Sequence, residues 1–82
     1  MTEKEMHKHI VVDHDILVGK PVIRGTRLAV EFILGLLAKG ATSDDILNDY
    51  EGLTKEDIQA CLLFATRTLE DIEFTPLAPT NE

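Results

Sequence analysis

The sequence predicts a mainly α protein, in which a short N-terminal β-ribbon precedes a three-helix bundle of helix-turn-helix-like outline. Short β-branched runs separated by turn residues fill the first 27 positions, which is typical of a small ribbon. After them, two stretches place apolar residues at spacings of three and four, the spacing of one helical face. The 82 residues are 44% hydrophobic, which suits one globular core and is too apolar for a disordered chain.

We expect one domain that covers residues 1–82. Residues 1–27 form its N-terminal tail and β-ribbon, residues 28–74 its three-helix core, and residues 75–82 a proline-containing tail. Because proline cannot continue a helix, this tail is either frayed or an extended arm that docks on a partner. No apolar run approaches the roughly 20 residues of a membrane span, and the N-terminus lacks the apolar core of a signal peptide. The single cysteine, Cys61, cannot form an internal disulfide, so we expect a buried thiol in a cytoplasmic protein.

The β-ribbon is predicted from three short extended runs. These are His9–Val12, residues 16–18 and Pro21–Arg24, separated by turns at residues 13–15 and 19–20. Proline has no backbone N–H, so a strand that begins with Pro21 belongs at an exposed sheet edge. Exposed edges invite pairing with another chain, and a ribbon this small must pack on the helices or on a second copy.

The first helix is predicted to run from about Leu28 to Lys39, with Gly40 as its C-terminal stop. Gly35 lies in its interior, where glycine costs about 1 kcal/mol relative to alanine. We therefore expect another backbone to pass close to Gly35.

Two further helices follow. Thr42 or Ser43 caps a short second helix that ends near Tyr50. Thr54 caps the third and longest helix, and Asp57 three residues later completes a capping box.

The third helix carries a broad apolar stripe, which consists of Ile58, Cys61, Leu62, Ala65, Leu69 and Ile72. Leu63 and Phe64 widen this stripe beyond the needs of a three-helix core. We interpret these two residues as a homodimer or partner face, with ordinary core packing as the alternative.

Charge is distributed unevenly between the two halves of the chain. The net charge is −7, of which residues 1–40 contribute +1 and residues 41–82 contribute −8. Because duplex phosphate repels acidic proteins, any DNA contact must come from the N-terminal half. The acidic half is better suited to a basic protein surface.

The most informative segment is Gly-Lys-Pro-Val-Ile-Arg-Gly-Thr-Arg at residues 19–27. Its turn-forming residues, which we assign a structural role together with the helix signals Gly40 and Thr54, are Gly19, Pro21, Gly25 and Thr26. The cations that it presents are Lys20, Arg24 and Arg27. An arginine fork binds phosphate or carboxylate with two hydrogen bonds, so these cations suit contact with DNA or with a partner protein. Alternatively, they close the fold against Asp13, Asp15 or Glu31.

A helix-turn-helix arrangement would make the third helix a recognition helix that offers Lys55 and Gln59 to DNA. Glu56 and Asp57 occupy the same first turn, and their carboxylates would face phosphate. The order of the helices therefore fits a helix-turn-helix domain, whereas the negative charge of this first turn argues against contact with DNA bases.

The N-terminal segment contains residue types that bind metals. The candidate metal ligands in the N-terminal segment are His7, His9, Asp13, His14 and Asp15. They lie in one loop-like segment and not on two rigid elements, so we expect solvated or capping side chains and no metal. The sequence has no phosphate-binding glycine loop and no cofactor motif, and we expect no enzyme and no cofactor.

Over about residues 9–70, the chain resembles the small bacterial domain-of-unknown-function family 433. The resemblance is carried by residues 13–15, 19–27 and 53–58, together with Gly40 and Tyr50. It implies a small, often dimeric, helix-turn-helix-like protein similar to antitoxins of the Vap type. In some relatives the partner is a toxin with the fold of a PIN-type ribonuclease. Ala29 departs from the pattern, since relatives often have proline or a capping residue there, and this leaves the start of the first helix open.

The leading hypothesis is therefore an antitoxin-like regulatory module that forms a homodimer, neutralises a PIN-type ribonuclease toxin and could bind DNA. The alternative is a homodimeric interaction or assembly protein that binds no nucleic acid. A metal-dependent enzyme is a minor third interpretation.

Overall fold

The computed structural model describes residues 1–71 and confirms a mainly α fold with a small β-ribbon. Its elements are, in chain order, α1 (Glu3–His9), β1 (Ile10–Val12), a 3₁₀ turn (Leu17–Gly19), β2 (Pro21–Ile23), α2 (Val30–Ala38), α3 (Ser43–Asp49) and α4 (Lys55–Glu70). Four α-helices thus occur in residues 1–71, one more than predicted. The end of the predicted core, residues 72–74, and the predicted tail, residues 75–82, lie outside the described residues.

The additional helix is α1, in the segment predicted as tail and ribbon. Thr2 and Glu5 form a capping box, in which Glu5 N donates to the Thr2 hydroxyl at 3.1 Å and Thr2 N donates to the Glu5 carboxylate at 2.9 Å. The Thr2 N–H, and then the Thr2 hydroxyl at 3.0 Å, donate to the Glu5 carboxylate and lower its pKa. Acids in the first turn and basic residues in the last turn also suit the helix dipole. Met6 is buried and fixes this short helix to the core.

The ribbon consists of β1 and β2, which pair antiparallel with Ile10 opposite Ile23 and Val12 opposite Pro21. Pro21 is the first residue of its strand, where the missing N–H disrupts the ladder least. Ile10 and Ile23 share one face of the ribbon and are buried, and Val22 on the opposite face is buried as well.

The prediction of an extended run at residues 16–18 is wrong. Leu17, Val18 and Gly19 all have positive φ values, of 49°, 54° and 78°. Gly19 N donates to Ile16 O and Lys20 N donates to Leu17 O, both at 3.1 Å. The chain has to reverse direction between two antiparallel strands, and this left-handed turn forms part of the reversal.

Helix α2 begins at Val30, two residues later than predicted. The preceding residues are still held by the turn, because Leu28 N donates to the Thr26 hydroxyl and Leu28 O accepts from Ile23 N. The helix ends in a Schellman arrangement around Gly40, whose φ is 105°. Gly40 N and Ala41 N donate to carbonyls of the last turn of α2.

Helices α3 and α4 each begin with a capping box. Thr42 pairs with Asp45, and Thr54 pairs with Asp57. Every named helix and strand contributes to one hydrophobic core, whose largest fully buried side chains are Ile23, Ile33, Ile46, Val22 and Cys61. Within residues 1–71, no helix combines the length and the apolar character needed to cross a membrane.

Candidate functional site

Arg24, which the sequence assigns to DNA or partner contact, lies at the C-terminal end of α1. Its Nε donates to Lys8 O at 3.0 Å, and its Nη2 donates to His7 O at 2.9 Å. Its backbone N donates to His9 O at 2.7 Å. Arg24 therefore satisfies three carbonyls that a helix end leaves without partners, and its positive charge lies at the negative end of the helix dipole.

Lys20 and Arg27 lie in different environments. Lys20 Nζ is 2.7 Å from Glu31 Oε1, so it joins the 3₁₀ turn to the first turn of α2. Both groups are exposed, and such pairs contribute little to stability. Arg27 is exposed and forms no salt bridge within residues 1–71. The structure thus engages Lys20 and Arg24 with different elements instead of gathering the three cations into one clamp.

Gly25 and Thr26 form the turn that connects β2 to the start of α2. Gly25 has a φ of 83°, a conformation that glycine adopts without strain. The Thr26 hydroxyl donates to Ile23 O at 2.7 Å and accepts from Leu28 N at 3.0 Å.

Lys55 and Gln59 are exposed one turn apart at the start of α4. They line a depression of about 460 Å³ that α3 closes on its other side. Asp44 and Glu56 line the same depression, so the single lysine faces two carboxylates. This arrangement disfavours phosphate and favours a cationic partner.

Leu63 and Phe64, the predicted dimer or partner face, are half-buried and pack against the core. More exposed apolar side chains lie beside them. Leu62 is 48% exposed and Leu69 is 62% exposed, seven residues apart on α4. The sequence pattern places Leu62 and Leu69 on the same stripe as Ile58, which is buried, and does not show which members of the stripe stay exposed.

An apolar groove of about 630 Å³ lies between the 3₁₀ turn and α2. Its walls include Leu17, Val18, Phe32 and Leu36, and Gly35 is part of its floor. Phe32 is held edge-on against Tyr50, with 5.6 Å between the ring centroids. Sequence reasoning missed this groove, because the segment that forms one wall was expected to be extended.

The predicted N-terminal cluster of histidines and aspartates is dispersed. His9 Nδ1 is 2.8 Å from Asp57 Oδ1, and Asp13 accepts a hydrogen bond from Asp15 N at 2.9 Å. In the described part of the chain, no three His, Cys, Asp or Glu side chains come together as metal ligands would. Cys61 is fully buried, and this burial, with the nearby charge of Asp57, raises the pKa of its thiol to about 12.

Comparisons with known proteins agree with the resemblance seen in the sequence. The model of the family described as "Protein of unknown function (DUF433)" matches residues 10–65. The crystal structure of a DUF433 member protein from Anabaena variabilis ATCC 29413 superposes with a TM-score of 0.72 at 24% identity, covering 85% of this chain and 79% of that chain. At this identity the likeness establishes the fold alone. The search of curated proteins gives no match. Since the family model covers more than half of the 82 residues, this chain belongs to the DUF433 family.

Proposed function

We propose that this chain is a non-enzymatic, antitoxin-like protein-binding module that acts in the bacterial cytoplasm. Its partner is a basic protein, and the PIN-type ribonuclease toxin that the sequence resemblance suggests is the candidate. The observation that carries the proposal is the charge of the surface around α3 and the turn that follows it. The exposed carboxylates there, none of which forms a salt bridge within residues 1–71, are Asp44, Asp45, Asp49, Glu51 and Glu56.

This acidic face, defined by those five carboxylates, contains one cation, Lys55, among the residues described. Its field attracts basic surfaces and speeds their association. Two of the three cations at residues 19–27 are engaged within the fold, because Arg24 caps α1 and Lys20 pairs with Glu31. These contacts support a protein partner over DNA.

The proposal is tested by affinity capture of the tagged chain from its native host, with and without nuclease. We expect a basic protein in stoichiometric amount that survives nuclease, and we expect its ribonuclease activity to be inhibited by the chain. The variant Asp49→Asn/Glu51→Gln, which removes two charges from the acidic face, should weaken capture. The matched control Asp15→Asn/Asp71→Asn removes two exposed charges elsewhere and should not.

Two outcomes contradict the proposal. Capture that is lost with nuclease identifies a nucleic-acid complex instead. Recovery of the chain without any second protein would show that it has no stable toxin partner in its host.

The second candidate function is a homodimeric assembly module that binds no nucleic acid. It is favoured by the exposed apolar side chains Leu62 and Leu69, which lie seven residues apart on α4, the spacing of contact residues in paired helices. A chain that is recovered only with itself would support this candidate.

A further inference from the structure

We propose that the groove between the 3₁₀ turn and α2 is the contact surface of a two-fold homodimer, in which each copy inserts Val18 into the groove of the other. This surface is distinct from the acidic face and from the α4 stripe. It supplies an interface for the second candidate function, and it is compatible with a bound toxin.

The first observation is the conformation of the turn. Leu17 and Val18 both adopt left-handed backbone conformations, with φ values of 49° and 54°. For a β-branched residue such as valine this conformation is a genuine outlier, and such strain persists only where the surrounding structure or a function requires it. The turn projects Val18 outward, and its side chain is 89% exposed. Backbone hydrogen bonds hold the turn, but the Val18 side chain makes little contact within residues 1–71, so its apolar surface is left for an interface.

The second observation is a notch in the facing helix. Gly35 is an interior residue of α2, and a Cβ built there would meet nothing within 4 Å in the described structure. The glycine predicts that another backbone passes close to Gly35, and within residues 1–71 none does. The missing side chain deepens the groove between Phe32 and Leu36, where an apolar side chain from outside can enter.

A second copy is the occupant that fits, because protrusion and notch belong to one surface. A two-fold interface uses the same surface on both copies, so a surface that contains both a protrusion and its receptor is self-complementary. The charged rim has both signs as well, with Lys20, Lys39 and Glu31. Their sum of +1 contrasts with the net charge of −7 for the chain. Two copies of this acidic protein therefore repel each other less at the groove than at the acidic face.

The test is sedimentation velocity of the full-length chain over a range of concentrations, with thermal unfolding measured in parallel. Val18→Asn removes the apolar protrusion and introduces a residue that tolerates left-handed backbone. We expect its dimer dissociation constant to rise by at least about tenfold, because the interface contains the change twice, while its thermal stability at dilution is kept or raised. Gly35→Gln fills the notch with a good helix former, and we expect a comparable loss of dimer. The matched control Val12→Thr removes an exposed apolar side chain from β1, outside the groove, and should leave the dimer unchanged.

A dimer that is weakened by both groove variants and not by Val12→Thr supports the proposal. A wild-type chain that stays monomeric, a dimer that is insensitive to Val18→Asn, or association into open-ended oligomers overturns it. A monomer that still captures a ribonuclease toxin would overturn this inference and leave the proposed function in place.

Discussion

At the scale of single residues, Arg24 shows how a cation in a recognition-like segment can be engaged by the fold itself. Its guanidinium binds two carbonyls of α1 and its backbone N binds a third. Arg27, three residues later, is exposed and has no ion pair in the part of the chain that is described. Two arginines that look equivalent in the sequence therefore differ in what they stabilise.

We expect Arg24→Ala to lower the free energy of unfolding by about 1–2 kcal/mol, because α1 loses the charged group that satisfies its last carbonyls. Urea unfolding followed by circular dichroism measures this loss. Arg27→Ala is the matched control and should change the free energy of unfolding by less than about 0.5 kcal/mol. Equal losses in the two variants would contradict the capping role.

Cys61 gives a second prediction at this scale. Since burial raises the pKa of its thiol to about 12, almost no thiolate is present in the folded protein near neutral pH. A disulfide reagent such as dithionitrobenzoate should therefore react with Cys61 only when the chain is unfolded in guanidinium chloride. Rapid reaction without denaturant would show that Cys61 is accessible.

At the scale of elements, helix starts that depend on hydrogen bonds between neighbouring residues could be predicted from the sequence. Thr54 was predicted as the cap of α4, with Asp57 as its capping-box partner, and Thr42 was one of the two caps predicted for α3. In both helices a threonine and an aspartate three residues apart satisfy each other's backbone N–H groups. The same signal, Thr2 followed by Glu5, precedes α1, and charge placement along that segment agrees with it. Helix α1 was not predicted, because it is short and contains two histidines. Its stability depends on packing against α4 and on the hydrogen bonds from Arg24.

The 3₁₀ turn could not be predicted in this way. Nothing in Leu17 or Val18 favours left-handed backbone, and their pattern reads as a strand. The turn follows from the need to join β1 and β2, which is a constraint between elements. The groove beside α2 was missed for the same reason.

The capping box of α3 predicts a pH dependence. The Thr42 backbone N–H, and then its hydroxyl, hydrogen-bond to the Asp45 carboxylate and lower its pKa below the ordinary value of 3.8. A carboxylate with a lowered pKa in the folded state stabilises the fold above its unfolded-state pKa, and this contribution is lost as the pH falls through the folded-state value.

Asp45→Asn should therefore lower the melting temperature at about pH 7, and the difference from the wild type should shrink at about pH 3. Thermal unfolding at the two pH values measures the effect. Asp44→Asn removes an equal charge from the same turn without breaking the capping box, so it should change the melting temperature less at neutral pH. A difference that stays constant with pH would contradict the assignment.

At the scale of the whole molecule, α1 is held against α4 at both ends. Near one end, Glu3 lies 3.2 Å from Arg67, and both groups are exposed. At the other end, His9 Nδ1 lies 2.8 Å from the largely buried carboxylate of Asp57. The second oxygen of Asp57 accepts from Thr54 N at 3.0 Å. One carboxylate thus caps α4 and docks α1, which makes the attachment of the N-terminal helix part of the same cooperative unit as the core.

We expect Asp57→Ala to lower the free energy of unfolding by about 2–3 kcal/mol, because it removes the cap of α4 and the partner of His9 together. Glu3→Gln, which breaks only the exposed pair, should cost less than about 1 kcal/mol. His9→Ala separates the two roles of Asp57, since it releases α1 and leaves the capping box of α4 intact. In urea unfolding of both single variants and the double variant, the losses for His9 and Asp57 should be non-additive by about 1 kcal/mol. Additive losses would contradict this coupling and would mean that α1 and α4 are stabilised independently. In that case, hydrogen exchange in α1 would be faster in His9→Ala, with no change in the core.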